Sequence, residues 1–153
     1  MFERFNLTGK TALITGAAGL LGIEHAAALL ESGASVVLTD IDTAGLSSAS
    51  EKLLSSVEST RVVTQVMDVS QPSSIITTAR EIENKDLRID ILVNNAAIDP
   101  KVKEDKGVIE TSRLENFPLE QWDMQMAVGL TGAFLCSQVF GSAMARNGKG
   151  GII

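Results

Sequence analysis

The chain is predicted to form an α/β domain, a doubly wound parallel β-sheet with helices on both faces. Short apolar segments rich in valine and isoleucine alternate with segments of helical periodicity. A turn with three glycines, Thr15–Gly22, joins the first predicted strand to the first predicted helix. Consecutive β-α-β units cross over right-handed, which predicts a doubly wound open sheet. Four strands with the glycine turn after the first favour the spatial order 3-2-1-4.

Apolar periodicity and turn residues predict four strands, four helices and the segments that join them. The glycines at 148, 150 and 151 end the last helix, and Ile152-Ile153 is interpreted as the stub of a fifth strand. The polar segment 99–116 is predicted to be a loop that acts as a flap over the substrate side. The predicted strands are Thr11–Thr15, Ser35–Thr39, Arg61–Val66 and Ile89–Val93; the helices are Leu20–Ser32 with Gly33 as its C-cap, a segment with Leu46, Ala49, Leu53 and Val57 inward, one starting at Pro72 with Ile75, Ala79 and Ile82 inward, and Leu119–Arg146.

The glycine-rich turn indicates a site for a dinucleotide pyrophosphate. Gly16 permits a tight turn, Gly19 lets the backbone approach a phosphate, and Gly22 lets the helix pack closely on the strand. The N–H groups and the dipole at the helix N-terminus favour such an anion. Three glycines alone are a weak signal, but a strand before them and a helix after them are typical of a Rossmann fold.

Asp40 indicates which dinucleotide is bound. It ends the second predicted strand, where a carboxylate can accept hydrogen bonds from the adenosine ribose hydroxyls and repels a 2′-phosphate. No Arg or Lys in the turn or directly after Asp40 can neutralise such a phosphate. The alternative is a solvated loop residue or a helix cap, but Asp42 is the better cap candidate. NAD is therefore predicted rather than NADP.

Composition excludes several classes of partner. The chain has 153 residues, 44% hydrophobic and 21% charged, which fits one domain, residues 1–153. A net charge of −6 argues against binding to nucleic acid or to an anionic membrane. No apolar run approaches the roughly 20 residues that span a bilayer, and the N-terminus lacks signal-peptide architecture. Cys136 is the one cysteine, so an intrachain disulfide is excluded and a cytoplasmic location is expected.

Five signals in order resemble the short-chain dehydrogenase/reductase family along the whole chain. They are Thr15–Gly22, Asp40, Asp68-Val69, Asn94–Ala97, and Trp122-Asp123 followed by Gly129–Phe134. The segment 95–101 is similar to a bacterial subgroup linked to flagellin or surface-glycan modification. The resemblance implies an NAD-dependent oxidoreductase that interconverts an alcohol and a ketone in a small-molecule substrate, with a carbohydrate-like substrate as one option.

The resemblance also implies a role for each matching residue. Residues of the glycine turn would hold the pyrophosphate and adjoining ribose, the end of strand two the adenosine ribose, the segment after strand three the adenine, and the segment after strand four the ribose near the nicotinamide. In that order these are Gly16, Ala18, Gly19, Leu20 and Leu21; Asp40 and Ile41; Asp68 and Val69; and Asn95, Ala96 and Ala97. The residues leave two structural alternatives open: an Asx turn at Asn94-Asn95, and a helix cap before Pro72 by Asp68 or Ser70.

The chain departs from the family pattern at three places. Gly19 gives the turn a spacing found in the sugar-nucleotide branch, and Gly129 stands where the family has an Asn that anchors a proton-relay water. The sequence contains no tyrosine, so the phenolic acid/base of the family has no counterpart in it. His25, on the first helix, and Cys136, in an apolar helix, are expected to be structural. No catalytic residue and no metal site are predicted in the chain.

The leading hypothesis is the cofactor-binding portion of an enzyme, truncated before the catalytic segment and inactive alone. The alternatives are a non-catalytic dinucleotide-binding module and a sugar-nucleotide epimerase or dehydratase. The helix 119–146 is apolar on several faces, and the resemblance implies that it packs against its copy in a homo-oligomer. One predicted stripe on it comprises Met126, Leu130, Ala133, Phe134 and Phe140, and apolar side chains on its other faces are Met124, Val128, Leu135 and Val139.

Overall fold

The computed structural model describes residues 5–55, 58–98 and 114–153. These residues form the predicted α/β Rossmann-type fold, with a parallel sheet in the order β3-β2-β1-β4. The strands are β1 (Thr11–Thr15), β2 (Ser35–Asp40), β3 (Val62–Val66) and β4 (Ile91–Val93). The helices are α1 (Leu20–Glu31), α2 (Thr43–Leu54), α3 (Pro72–Asn84) and α4 (Leu119–Arg146).

The sheet is buried on both faces, which is why its strands have nearly continuous apolar sequences. Leu13 and Ile14 of β1 and Leu38 of β2 are fully buried. One face packs against α1 and α2, in a core that contains Ala26, Leu30, Leu46, Ala49 and Leu53. The other face packs against α3 and α4, in a core that contains Ile75, Ile82, Cys136, Phe140 and Met144.

The expected fifth-strand stub lies beside β4. Ile152 pairs in parallel with Ile91. Its N–H donates to the carbonyl oxygen of Asp90 at 3.0 Å, and its own carbonyl accepts from the N–H of Leu92 at 2.9 Å. The chain thus begins to extend the sheet on the side of β4 away from β1.

Two strands begin later than predicted. β3 begins at Val62, since Arg61 closes a 3₁₀ turn and its guanidinium donates to the carbonyl oxygens of Leu30 and Ala34 at 2.5 and 2.6 Å. β4 begins at Ile91, and the preceding Asp90 is held by its N–H to the carbonyl of Thr11 at 2.8 Å. In both cases the predicted strand starts before the regular hydrogen bonding between strands does, so the sequence pattern overestimates the length of the strand.

The cap of α2 and the start of α3 at Pro72 agree with the sequence prediction, whereas the C-cap of α1 differs. Asp42 caps α2 as predicted, because its Oδ1 accepts from the N–H of Gly45 at 3.0 Å. At α1 the C-cap is Ser32, and Gly33 follows it with a φ of +98°. At α3 the N-cap is Gln71 without a side-chain hydrogen bond, so the alternative of a cap by Asp68 or Ser70 was wrong.

The long helix α4 corrects two expectations. It has 28 residues and is long and apolar enough, by length and composition alone, to cross a membrane, whereas no such segment was expected. Phe140 was predicted to share a stripe with Phe134, but Phe140 is 3% exposed and Phe134 is 62% exposed. Six residues at 3.6 per turn make about one and two-thirds turns, so the two rings point about 120° apart around the helix axis.

Some sequence predictions concern residues outside the described ranges. The inward position assigned to Val57 is one of them, and most of the predicted flap at 99–116 is another. Of that segment the structure describes Leu114–Asn116, which form a 3₁₀ turn just before α4.

Candidate functional site

A cleft of about 380 Å³ opens where the carboxyl ends of the parallel strands meet. Open α/β sheets bind ligands at this edge, because the loops that follow the strands converge there. Each of the four strands is followed by lining residues, and α4 contributes Met124 and Val128. The predicted site residues among those that line it are Gly16, Asp40, Ile41, Asp68, Val69, Ala96 and Ala97.

The glycines of the turn are required by close contacts. Gly16 has a φ of +65°, and a Cβ there would lie 2.8 Å from the Cα of Ala96. A Cβ on Gly22 would meet the carbonyl oxygen of Gly16 and would lie 2.6 Å from the Cα of Ala17. Both contacts are with backbone, so neither can be relieved by rotating a side chain. The first and last glycines therefore have the steric roles predicted for them.

Gly19, Leu20 and Leu21 form the start of α1 outside the cleft lining. Gly19 is the N-cap, and no side chain caps this helix. Leu20 is 83% exposed and Leu21 is 64% exposed. The N–H groups of a helix N-terminus have no intrahelical partner, so this end of α1 is able to receive an anion.

Asp40 is anchored by two backbone donors. Its Oδ2 accepts from the N–H of Ala18 at 3.0 Å, and its Oδ1 accepts from the N–H of Asp42 at 3.0 Å. The carboxylate is half-buried at the end of β2. A carboxylate has about four acceptor positions, so two remain for ligand hydroxyls. The side chain is thus held in place by the glycine turn on one side and by the start of α2 on the other.

The segment after β3 is fixed by hydrogen bonds and by α4. Asp68 Oδ1 accepts from the N–H of Ser70 at 2.9 Å and from its hydroxyl at 2.7 Å. The N–H of Asp68 donates to the Ser74 hydroxyl at 3.0 Å. A Cβ on Gly132 of α4 would lie 2.8 Å from Cγ2 of Val69, so the helix touches this segment closely.

Asn95 is not among the lining residues and instead connects β4 to the glycine turn. Its Nδ2 donates to the carbonyl oxygens of Thr15 and Gly16, both at 3.0 Å. The Asn94 side chain donates to the Ser137 hydroxyl on α4 at 3.1 Å. Both amides therefore bond to distant segments of the chain, whereas an Asx turn would bond locally.

Sequence reasoning missed several residues at this site. The Thr15 hydroxyl accepts from the N–H groups of Asn95 and Ala96, both at 3.0 Å, and so shapes the loop after β4. A threonine that ends a central strand was the available signal for it. The lining residues that were not predicted are Met67, Ser70, Gln71, Ile98, Met124 and Val128.

The two residues expected to be structural, Cys136 and His25, lie in the core and on the surface respectively. Cys136 is fully buried, and its burial raises the pKa of the thiol from 9.0 to about 11. His25 is exposed on α1. Within the described ranges, no group of three histidine, cysteine or carboxylate side chains is arranged to hold a metal ion.

The chain matches the short chain dehydrogenase family over residues 10–153. It belongs to this family. The glycine turn, the strand order and the cleft at the carboxyl ends of the strands are the parts of a short-chain dehydrogenase that the described residues form.

Similar proteins are dehydrogenases of about twice this length. The 2-dehydro-3-deoxy-D-gluconate 5-dehydrogenase of Bacillus subtilis is 36% identical over 100% of this chain and 55% of its own length. The NAD-dependent glycerol dehydrogenase of Listeria innocua is 33% identical over 97% of this chain and 53% of its own. The crystal structure of a gluconate 5-dehydrogenase from Burkholderia cenocepacia, in complex with NADP and tartrate, superposes with a TM-score of 0.82 at 29% identity, covering 98% of this chain and 54% of that one. The chain thus spans about half the length of these relatives, and their cofactors differ.

Proposed function

We propose that this chain is the NAD-binding portion of a short-chain dehydrogenase that interconverts an alcohol and a ketone. The observation that carries the proposal is the anchored carboxylate of Asp40 at the cleft. Two backbone N–H groups hold it, and it retains acceptor capacity for two ribose hydroxyls. A fixed negative charge at this point repels a 2′-phosphate, which favours NAD over NADP.

Each site residue has a role in this proposal. The glycine turn and the N-terminus of α1 receive the pyrophosphate, the cleft between Val69 and Val128 receives the adenine, and Ala96 and Ala97 lie along the nicotinamide ribose. Asn95 supports the site through its bonds to Thr15 and Gly16. When bound, the dinucleotide supplies the hydride acceptor or donor. The roles of the chain's residues are to bind it and to orient it.

The substrate proposed for the whole protein is a small polyhydroxylated alcohol or its ketone. Two relatives are named for a deoxygluconate derivative and for glycerol, which are both polyhydroxylated. Oxidation of such an alcohol requires removal of the hydroxyl proton as the hydride leaves. The family pattern assigns this proton transfer to a tyrosine, and the 153 residues contain none. We therefore expect the chain alone to bind NAD and to turn over no substrate.

We further propose that the protein is cytoplasmic and forms a homo-oligomer through α4. Leu119, Trp122, Leu130 and Phe134 are exposed on this helix, and each is more than half accessible to solvent. An apolar surface of this kind is typical of a protein interface. Because the opposite side of α4 packs on the sheet, a second copy is a better occupant of the exposed side than a bilayer is.

Titration of Asp40 variants with both cofactors tests the cofactor assignment. Asp40→Ala removes a charged acceptor and should weaken NAD binding by about ten- to a hundredfold. The same change should improve NADP binding relative to NAD, because the repulsion of the 2′-phosphate is lost. Glu51→Ala, which deletes an exposed carboxylate on α2, is the control and should change neither affinity. Equal affinities in wild type and Asp40→Ala for both cofactors would exclude Asp40 from the site.

A further inference from the structure

We propose that Gly45, in the first turn of α2, is a positioning residue of the nucleotide site. Its lack of a side chain lets α2 pack directly against Ala18 in the glycine turn, and this contact holds the donors that orient Asp40. The inference rests on the proposed role of the Asp40 carboxylate in NAD binding and extends it to a residue on a different element.

The geometry around Gly45 leaves no room for a methyl group. A Cβ there would lie 2.8 Å from the Cβ of Ala18 and 2.6 Å from Oδ2 of Asp42. The Ala18 methyl is fixed to its backbone and cannot rotate away. The other oxygen of the Asp42 carboxylate accepts the cap bond from the N–H of Gly45, so a movement of this carboxylate disturbs the cap. An alanine at position 45 must therefore displace the glycine turn, the start of α2, or both.

Those two segments are the ones that hold Asp40. The N–H of Ala18 donates to Oδ2 of Asp40, and the N–H of Asp42 donates to Oδ1. The two atoms that a new methyl group would meet thus belong to the residues that supply these donors. A shift of either donor rotates or releases the carboxylate. Gly45 therefore controls the direction in which Asp40 presents its free acceptor positions.

Glycine at position 45 is also unfavourable by helix propensity. Glycine is less favourable in a helix than alanine by about 1 kcal/mol, so alanine would be preferred at an open helical site. A purely structural reason, close packing of α2 on the turn, predicts only a loss of stability on substitution. A positioning role predicts in addition a change in the preference between NAD and NADP. That preference separates the two explanations.

A double-variant cycle on the full chain tests the proposal. Gly45→Ala should raise the Kd for NAD by about tenfold, since a hydrogen bond to a charged acceptor is lost, and should reduce the preference for NAD over NADP. Ala18→Gly removes one of the two opposing groups, so the loss of affinity caused by Gly45→Ala should be smaller in the Ala18→Gly background than in wild type, a non-additive result. Ser47→Ala, at an exposed position of α2, is the control. Unchanged Kd values and cofactor preference in folded Gly45→Ala would overturn the proposal.

A second measurement needs no cofactor. Hydrogen exchange of the Ala18 amide, followed by NMR, reports the bond to Asp40 directly. Exchange should be faster in Gly45→Ala than in wild type and should slow again when Ala18→Gly is added to Gly45→Ala, because the glycine amide at 18 regains the bond. Equal exchange in wild type and Gly45→Ala would overturn the positioning role. If wild type fails to bind NAD, the proposed function fails while this readout still decides the proposal.

A third variant covers the case in which Gly45→Ala does not fold. Ala18→Ser adds one atom to the same contact from the side of the glycine turn and leaves α2 unchanged. The expected result is again weaker NAD binding and a smaller preference over NADP. A folded Ala18→Ser with wild-type Kd values for both cofactors would overturn the proposal, because it would show that the contact does not govern Asp40.

Discussion

At the scale of single residues, the glycines of this chain differ in what they make possible. Gly16 and Gly22 allow backbone segments to touch, whereas a Cβ on Gly129 would meet none of the described atoms within 4 Å. Glycine thus serves close packing in the glycine turn, and at Gly132 of α4, but has no such role at Gly129. Substitution by alanine distinguishes the two cases.

We expect Gly22→Ala to destabilise the chain and to weaken NAD binding. Its Cβ would overlap backbone atoms of Gly16 and Ala17, and overpacking of this kind costs about 1–3 kcal/mol. Gly129→Ala is the matched control and should be neutral or stabilising by up to about 1 kcal/mol, because alanine favours the helix. Urea unfolding of both variants measures the difference. A Gly22→Ala variant as stable as Gly129→Ala would contradict the packing argument.

Burial of Cys136 predicts a specific pH dependence. Its pKa is raised from 9.0 to about 11 in the folded chain, so the fold favours the protonated thiol. The stabilisation is complete below pH 9 and is lost as the pH rises toward 11. The difference in unfolding free energy between wild type and Cys136→Ala should therefore shrink over this range. At a pH of about 8 the native thiol should react with a thiol reagent far more slowly than the unfolded chain; equal rates would contradict its burial.

At the scale of elements, α4 has two apolar sides with different functions. Phe140 packs in the core with Cys136 and Met144, while Phe134 and Leu130 are exposed. Phe140→Ala should lower the free energy of unfolding by about 3–5 kcal/mol, as truncation of a buried aromatic residue does. Phe134→Ala should change it far less. Thermal unfolding measures the stability of the two variants. Similar losses of stability would contradict the assignment of Phe140 to the buried side of α4 and of Phe134 to the exposed side.

At the scale of the whole molecule, the exposed apolar surface of α4 predicts self-association. Leu130 and Phe134 are 65% and 62% exposed, and an apolar patch of this kind is typical of an interface. We expect the chain to dimerise or aggregate, and Leu130→Ser with Phe134→Ser to shift it toward monomer without loss of stability. Sedimentation velocity at about tens of micromolar measures the oligomeric state of wild type and of the double variant. A stable monomer in wild type would contradict the proposed interface.

Much of the fold and part of the site could be predicted from local sequence. The glycine turn, the Asp42 cap and the order of strands and helices depend on nearby residues. Right-handed crossovers then predict a doubly wound sheet, and the glycine turn on the first strand favours the order 3-2-1-4. The convergence of Gly16, Asp40, Asp68 and Ala96 also follows, since the carboxyl ends of parallel strands share one edge.

Only the tertiary structure decided which side chains meet across elements. Asn95 bonds to Thr15 and Gly16, which precede it by about 80 positions. Phe140 faces the core because of how α4 sits on the sheet, and Gly45 meets Ala18 because α1 and α2 share one face. These contacts depend on how closely segments that are distant in sequence pack together. Periodicity and spacing determine which face a residue belongs to, but close packing alone determines which atom it touches.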